Sequence, residues 1–421
     1  MTSRHIAFVL LAVVLFASSA CRTGRADPSS TDPSPTATRT LRPTYTPAQA
    51  KGGEVVASPS AEPGNQAFLP FVMGGEESAS PTPTVVPPTP AAEASENRPK
   101  QMVLRDDLPA LTLPEWPRPA NDNGRCMHFL RSQYYTEQEL DLNIARLQQL
   151  GAKWTLVVYG DENMLHRAAP RFAAAGIVPV WRKMLRPDEP YFNWQRDIEI
   201  VTSYGLPPYF QLYNEPSLAA EWDERAPDED DREQFLDNLM QATQDVYNAG
   251  GFVGWQFINE EWLKVALDEL EQRGGQRVLG RFFFIPHSYG LNHPPNYTED
   301  VNGVLGFLFF ARIFQERYGS VPPFIVGEGG WKINNDADAR FPPIDDTLHR
   351  DYHVELFLWF KNGVLSNGEP LPDYLFAFCP WLLAAKMDDN AWWDSFAGDR
   401  ALTIEAVSNL PPFVRRFSWE E

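Results

Sequence analysis

The sequence predicts an α/β protein of the (β/α)8 TIM-barrel class, preceded by a signal peptide and a disordered Pro/Ser/Thr-rich tether. Three observations predict it. Over residues 104–421, short apolar, β-rich runs alternate with longer segments of helical period. Such alternation indicates a parallel sheet covered by helices. Eight strand–helix units in roughly 320 residues suit a closed barrel better than an open doubly wound sheet. No Gly-rich dinucleotide turn follows the first strand, which disfavours the open sheet further.

Residues 1–21 read as an export signal. Arg4 and His5 form a short basic start, and residues 6–16 are an unbroken apolar run, too short for a mature membrane span. Ala17-Ser18-Ser19-Ala20 then leads into Cys21, a lipobox-like end at which Cys21 would be lipidated. Ser18 stands where such a motif usually has Leu, so cleavage after Ala20 by an ordinary signal peptidase is the alternative. The expected localisation is export, either lipid-anchored at the cell surface or free outside the cell. Residues 22–103 are dominated by Pro, Ser, Thr and Ala. They lack the apolar content to offset chain entropy, so an extended tether is expected. One apolar patch, residues 67–73, interrupts it.

Strands are predicted over residues 126–130, 154–159, 178–182, 209–213, 252–257, 282–286, 324–327 and 375–380. Helices are predicted over 136–150, 231–248, 260–273, 304–318 and 348–361, with a closing helix over 401–414. Cys126 and Cys379 fall on the first and last strands, which become neighbours when a barrel closes. An exported protein allows a disulfide there; the reading preferred from sequence is two buried thiols.

A formal net charge of −20 argues against a nucleic-acid partner and against electrostatic docking on anionic lipid. A neutral polymer is not opposed. Aromatic residues make up 13% of the chain, 13 of them Trp, and indole rings suit the C–H faces of pyranoses. In a barrel of this class the site lies at the C-terminal ends of the strands. The fourth strand runs into Asn214-Glu215-Pro216 and the seventh into Glu328-Gly329-Gly330-Trp331. Two carboxylates facing each other across the mouth are what glycoside hydrolysis needs. One protonates the leaving oxygen, while the other attacks the anomeric carbon or activates water.

This pattern resembles the clan A glycoside hydrolases, especially the family 5-like cellulase and mannanase group, over residues 126–393. The resemblance implies a retaining hydrolase of β-linked glycans, with Glu215 as acid/base and Glu328 as nucleophile. It implies that Asn214 bonds the sugar 2-hydroxyl. His287-Ser288-Tyr289 matches the group's His-x-Tyr, so Tyr289 would hold the nucleophile and His287 would line the glycone site. Trp381 matches the aromatic floor after the eighth strand. The third strand departs from family 5, ending in Trp181 and Arg182 without the usual His. The second ends in Tyr159-Gly160-Asp161 without the expected Arg. Arg182, Tyr159, His128 and Trp331 complete the candidate substrate-binding set; Trp331, Trp392 and Trp393 read either as further sugar subsites or as packing.

Other chemistries read poorly. His349 and His353 are four apart, but Arg350, Asp351 and Tyr352 between them leave no His-Glu-x-x-His motif, so a solvated helix face is expected. The acidic run 228–231 reads as helix N-terminal charge. There is no Gly-x-Ser-x-Gly elbow and no Walker loop. The sequence therefore implies no metal and no cofactor. The expected partner is an oligo- or polysaccharide, with membrane contact through an N-terminal lipid anchor alone, and the expected state is a monomer. The rival reading is a non-catalytic carbohydrate-binding barrel at the cell surface.

Overall fold

The computed structural model describes residues 100–420. The signal segment, Cys21, the patch 67–73 and the tether up to residue 99 lie outside them. In chain order the strands are β1 (Trp154–Tyr159), β2 (Val178–Lys183), β3 (Tyr209–Gln211), β4 (Phe252–Trp255), β5 (Phe282–Phe284), β6 (His287–Tyr289), β7 (Phe324–Val326), β8 (Glu328–Gly330) and β9 (Leu375–Phe378). The helices are α1 (Glu137–Gln149), α2 (Glu162–Ala175), α3 (Trp194–Ser203), α4 (Glu229–Asn248), α5 (Glu260–Gln272), α6 (Phe307–Tyr318), α7 (Asp346–Asn362) and α8 (Ala401–Ser408).

Seven parallel strands run in the order β1-β2-β3-β4-β5-β7-β9 and nearly close a barrel. Residues 125–130 fill the remaining gap. Arg125 bridges Phe378 and His128 bridges Leu156, both in parallel. The His128 N–H donates to Pro380 at 3.1 Å and the Phe129 N–H to Leu156 at 2.8 Å. This is the TIM-barrel α/β arrangement, with its first position carried by isolated bridges. Between β5 and β6 the ladder breaks at Pro286, which has no N–H to donate. The chain resumes as a short two-stranded extension in which His287 pairs with Glu328, Ser288 with Gly329 and Tyr289 with Gly330.

Alternation along the strands sorts the core into two sets. Trp154, Leu156, Val158, Val180, Tyr209, Phe252, Phe283, Ile285 and Ile325 fill one cluster with Cys126 and Cys379, the barrel interior. Val157, Tyr159, Trp181, Phe210, Val253 and Phe284 belong to the larger cluster shared with the helices. Below the interior, Trp116 and Phe417 join the same cluster. Arg415 stacks its guanidinium 4.0 Å from the Phe417 ring centre and donates to the carbonyls of Pro372 and Leu375, tying the C-terminal segment to the sheet.

Three sequence expectations are corrected here. Cys126 and Cys379 are joined in a disulfide. Both belong to the inward set of adjacent barrel positions, so closure brings their Cα atoms to 4.3 Å. His349 and His353 are buried, not solvated. They lie on the face of α7 that packs against α8 and Trp392, where His349 Nδ1 lies 2.7 Å from Thr403 Oγ1. The last helix stops at Ser408 rather than residue 414, because Pro411 and Pro412 follow and cannot continue it. The acidic run 228–231 forms the start of α4, with Asp228 and Asp231 closing a reciprocal cap.

Candidate active site

The inward parity of each strand decides what reaches the mouth. Two residues beyond Cys126 is His128, two beyond Val180 is Arg182, two beyond Tyr209 is Gln211, and two beyond Ile285 is His287. All four are buried. Glu328 follows Gly327, where an added Cβ would lie 2.5 Å from Ile285, so the backbone passes close to the core before presenting the carboxylate. Gly330, at φ +80°, then turns the chain outward.

Glu328 is held from three sides. Arg182 Nη1 donates to its Oε1 at 2.9 Å and the Tyr289 hydroxyl to its Oε2 at 2.8 Å. His287 Nδ1 lies 3.6 Å from Oε2 and His128 Nε2 3.8 Å from Oε1. Burial works against its charge, but His287, Arg182 and the Tyr289 hydroxyl outweigh that and hold its pKa below the ordinary carboxylate value. His128 contributes no charge at neutral pH, since burial pushes its own pKa down to about 3, so its contact with Glu328 is not an ion pair. Burial also lowers the pKa of His287, yet the carboxylates of Glu328 and Glu215 prevail and the net shift is upward.

Glu215 stands opposite. Its Oε1 lies 2.8 Å from His287 Nδ1, so one imidazole sits between the two carboxylates. An oxygen of each Glu and a nitrogen of His287 all fall within 4.8 Å of one another. Glu215 has φ +34°, in the left-handed region, although the following Pro216 favours extended backbone. Its N–H is taken by the Gln256 side chain and its carbonyl by the Leu218 N–H at 2.9 Å, which fix this sparsely populated conformation. Asn214 is equally fixed. Its Oδ1 accepts from Arg182 at 2.8 Å and Gln211 at 3.1 Å, and its Nδ2 donates to Glu221 at 2.9 Å.

Asn214, Glu215, Arg182, His287, Tyr289, Glu328 and His128 thus share one network. Trp381 joins its edge, half-buried, with its ring 4.4 Å from that of His128 and its Nε1 bonded to Asp388 at 3.0 Å. Two candidates lie elsewhere. Tyr159 has the outward parity of Val157; its hydroxyl reaches Asp197 on α3, and it is buried among helices. Trp331 is turned away by Gly330 and buried against Tyr352 and His353 of α7, its Nε1 donating to His293 at 2.8 Å. Trp392 and Trp393 are likewise buried as packing.

The sequence reading missed Gln211, Gln256, Glu221 and Lys332. Parity was available for the first two, since Gln256 follows Phe252 and Gly254 on the inward set. Glu221 lies in the loop after β3, its pKa raised by burial and by the nearby carboxylates against the Asn214 bond and Arg182. Glu215, His287 and Glu328 have donor atoms that could surround a cation. A cation there would face the Arg182 guanidinium, and both Glu328 oxygens already accept hydrogen bonds. A cleft of about 370 Å³ opens beside Glu215, between the loops that follow β6 and β8.

No family model and no curated protein matches the chain. Solved structures similar to it include an endo-β-1,3-glucanase of family GH128 from Amycolatopsis mediterranei, bound to laminaritriose. The identity is 12%, over 69% of this chain and 99% of that one, with TM-score 0.41. An endo-1,4-β-mannanase from Rhizomucor miehei is 11% identical over 73% of this chain and 98% of that one, TM-score 0.39. An L-ribulose 3-epimerase is 14% identical over 67% and 91%, TM-score 0.40. Glycoside hydrolases and a sugar epimerase thus stand side by side at equal, low similarity.

Proposed function

We propose that the chain is a retaining hydrolase of β-linked glycans. The observation that supports this most is the meeting of Glu215 and Glu328, 113 positions apart in sequence (328 − 215), with oxygens within 4.8 Å. Retaining enzymes need carboxyls about 5–5.5 Å apart, against about 6.5–9.5 Å for inverting ones. Glu328, ionised beside Arg182 and Tyr289, attacks the anomeric carbon. Glu215 gives a proton to the departing oxygen and then takes one from the water that releases the glycosyl-enzyme. His287 bridges the two carboxylates and keeps positive charge beside them. Asn214 has one amide N–H not used by Glu221, and offers it to a ring hydroxyl. Trp381 supplies an aromatic face at the edge of the network.

The protein acts on oligo- or polysaccharide outside the cytoplasm, as an exported monomer, either anchored through a lipid on Cys21 or released. The buried disulfide supports the location outside the cytoplasm, because such bonds persist in oxidising compartments. Glu328→Ala is expected to abolish cleavage of whichever of cellulose, mannan, xylan, β-1,3-glucan or aryl β-glycosides the parent cleaves, with an unchanged circular dichroism spectrum. A 2-deoxy-2-fluoro glycoside of the same sugar should label Glu328, as read by peptide mass. Near-parental activity in Glu328→Ala, or a label on another residue, rules the assignment out.

A further inference from the structure

The cleft beside Glu215 is lined by Glu215 but not by Glu328. Under the hydrolase reading, on which this inference rests, Glu215 protonates the oxygen of the leaving unit. The cleft meets His287 and Tyr289, which contact the nucleophile, at its inner end; the part that extends past Glu215 toward Asn302 and Asn335 is the part assigned to the leaving group. Ile258, Leu291 and Val301 give it an apolar wall, suited to the C–H face of a pyranose. Asn302, Asn335 and Lys332 also line it.

Lys332 is the cationic member of the lining. Its ammonium lies 4.8 Å from the centre of the Tyr289 ring, and among the described residues it makes no ion pair or hydrogen bond. Three acids on the flanking loops are paired with other groups. Asp338 pairs with Arg340 and His293, Glu299 pairs with Arg340, and Asp300 holds the Tyr297 hydroxyl and the Asn302 N–H. Lys332 is exposed to solvent at the cleft, so its charge stays available to a ligand there. It is a compact point charge on a flexible stem, suited to reading an anionic group without demanding one geometry.

We infer that the cleft is the leaving-group subsite and selects sugars bearing an ionised carboxylate or sulfate, with Lys332 as the residue that reads the charge. The selection is electrostatic and partly solvent-exposed, so it weakens with salt.

The test uses the full chain and aryl β-glycosides of the sugar it turns over, with 4-carboxyphenyl, 4-sulfophenyl and neutral 4-carboxamidophenyl leaving groups. Comparing each substrate between wild type and Lys332→Met cancels differences in leaving-group chemistry. The expected result is about a fivefold rise in KM for the charged substrates in Lys332→Met. The neutral substrate should be unchanged, and Lys332→Arg should restore most of the loss. The two anionic arms show whether carboxylate or sulfate is preferred. An equal effect on charged and neutral substrates, or a fall in kcat alone, overturns the inference and makes Lys332 a support for Tyr289. Should wild type cleave no glycoside, the hydrolase reading fails by itself. Calorimetric binding of uronate-containing against neutral oligosaccharides to the same two proteins then decides, and equal binding of the acidic ligand by both overturns the inference.

Discussion

Four imidazoles give the protein an asymmetric response to pH. His128 is pushed down to about 3 and His353 to about 4 by burial, and His349 lies well below its ordinary value for the same reason. In the unfolded chain all three take up protons below about 6.5, and in the folded protein they do not. Each therefore withdraws about 1.4 kcal/mol of stability per pH unit as pH falls through that range. Glu328 adds to the same side, because its depressed pKa contributes stability above the unfolded value of 4.5 that is lost on acidification. His287 acts in the opposite sense. Its raised pKa contributes stability fully below 6.5 and loses it as pH rises through the folded value. Melting temperature should therefore peak near neutrality, drop steeply toward pH 5 and decline gently above pH 7. A flat profile between pH 5 and 7 would show that these histidines are solvated.

At the scale of elements, the two-stranded extension of β6 and β8 sets the geometry of the mouth. Gly330 ends it at φ +80°, and an added Cβ would lie 2.5 Å from His353 Nε2, itself buried. Gly330→Ala should cost about 1–3 kcal/mol, since both the backbone and the buried ring resist. It should also lower kcat/KM by displacing Glu328, two residues away; a thermal melt and a rate measurement check both. How much of this was legible follows from particular residues. The eight strand positions and most helices stand out because apolar runs and turn residues alternate regularly. The parity of Tyr159 does not stand out. Strand β1 is apolar on both faces, as parallel strands are, so Trp154, Leu156 and Val158 look no different from Val157 and Tyr159. Arg182 is legible because it is a charged residue at the end of an otherwise apolar run, beside Lys183. Glu221 sits in a single 3-10 turn, Ala219–Trp222, and Lys332 in a loop, both too short or irregular for a period to relate sequence position to direction. The burial of His349 and His353 depends on Trp392, some 40 residues later, and their spacing alone reads equally well as a wet helix face.

For the molecule as a whole, closure of the barrel is both covalent and hydrogen-bonded. The first barrel position holds its neighbours by isolated bridges, and the Cys126–Cys379 bond spans 253 residues across that seam. A loop of that length places the loss of unfolded-chain entropy on the order of 5 kcal/mol. Replacing both cysteines with serine should lower unfolding free energy by about 2–5 kcal/mol in a denaturant titration, with little change in kcat at low temperature. An unchanged midpoint would show that the seam is held without the bond.

The same bond encloses β1 to β9, and with them the loops that carry Asn214, Glu215, Lys332 and Asn335. A protease that nicks one of those loops leaves two pieces still fastened through the barrel interior. A molecule nicked in this way need not come apart, and its two carboxylates keep a common scaffold.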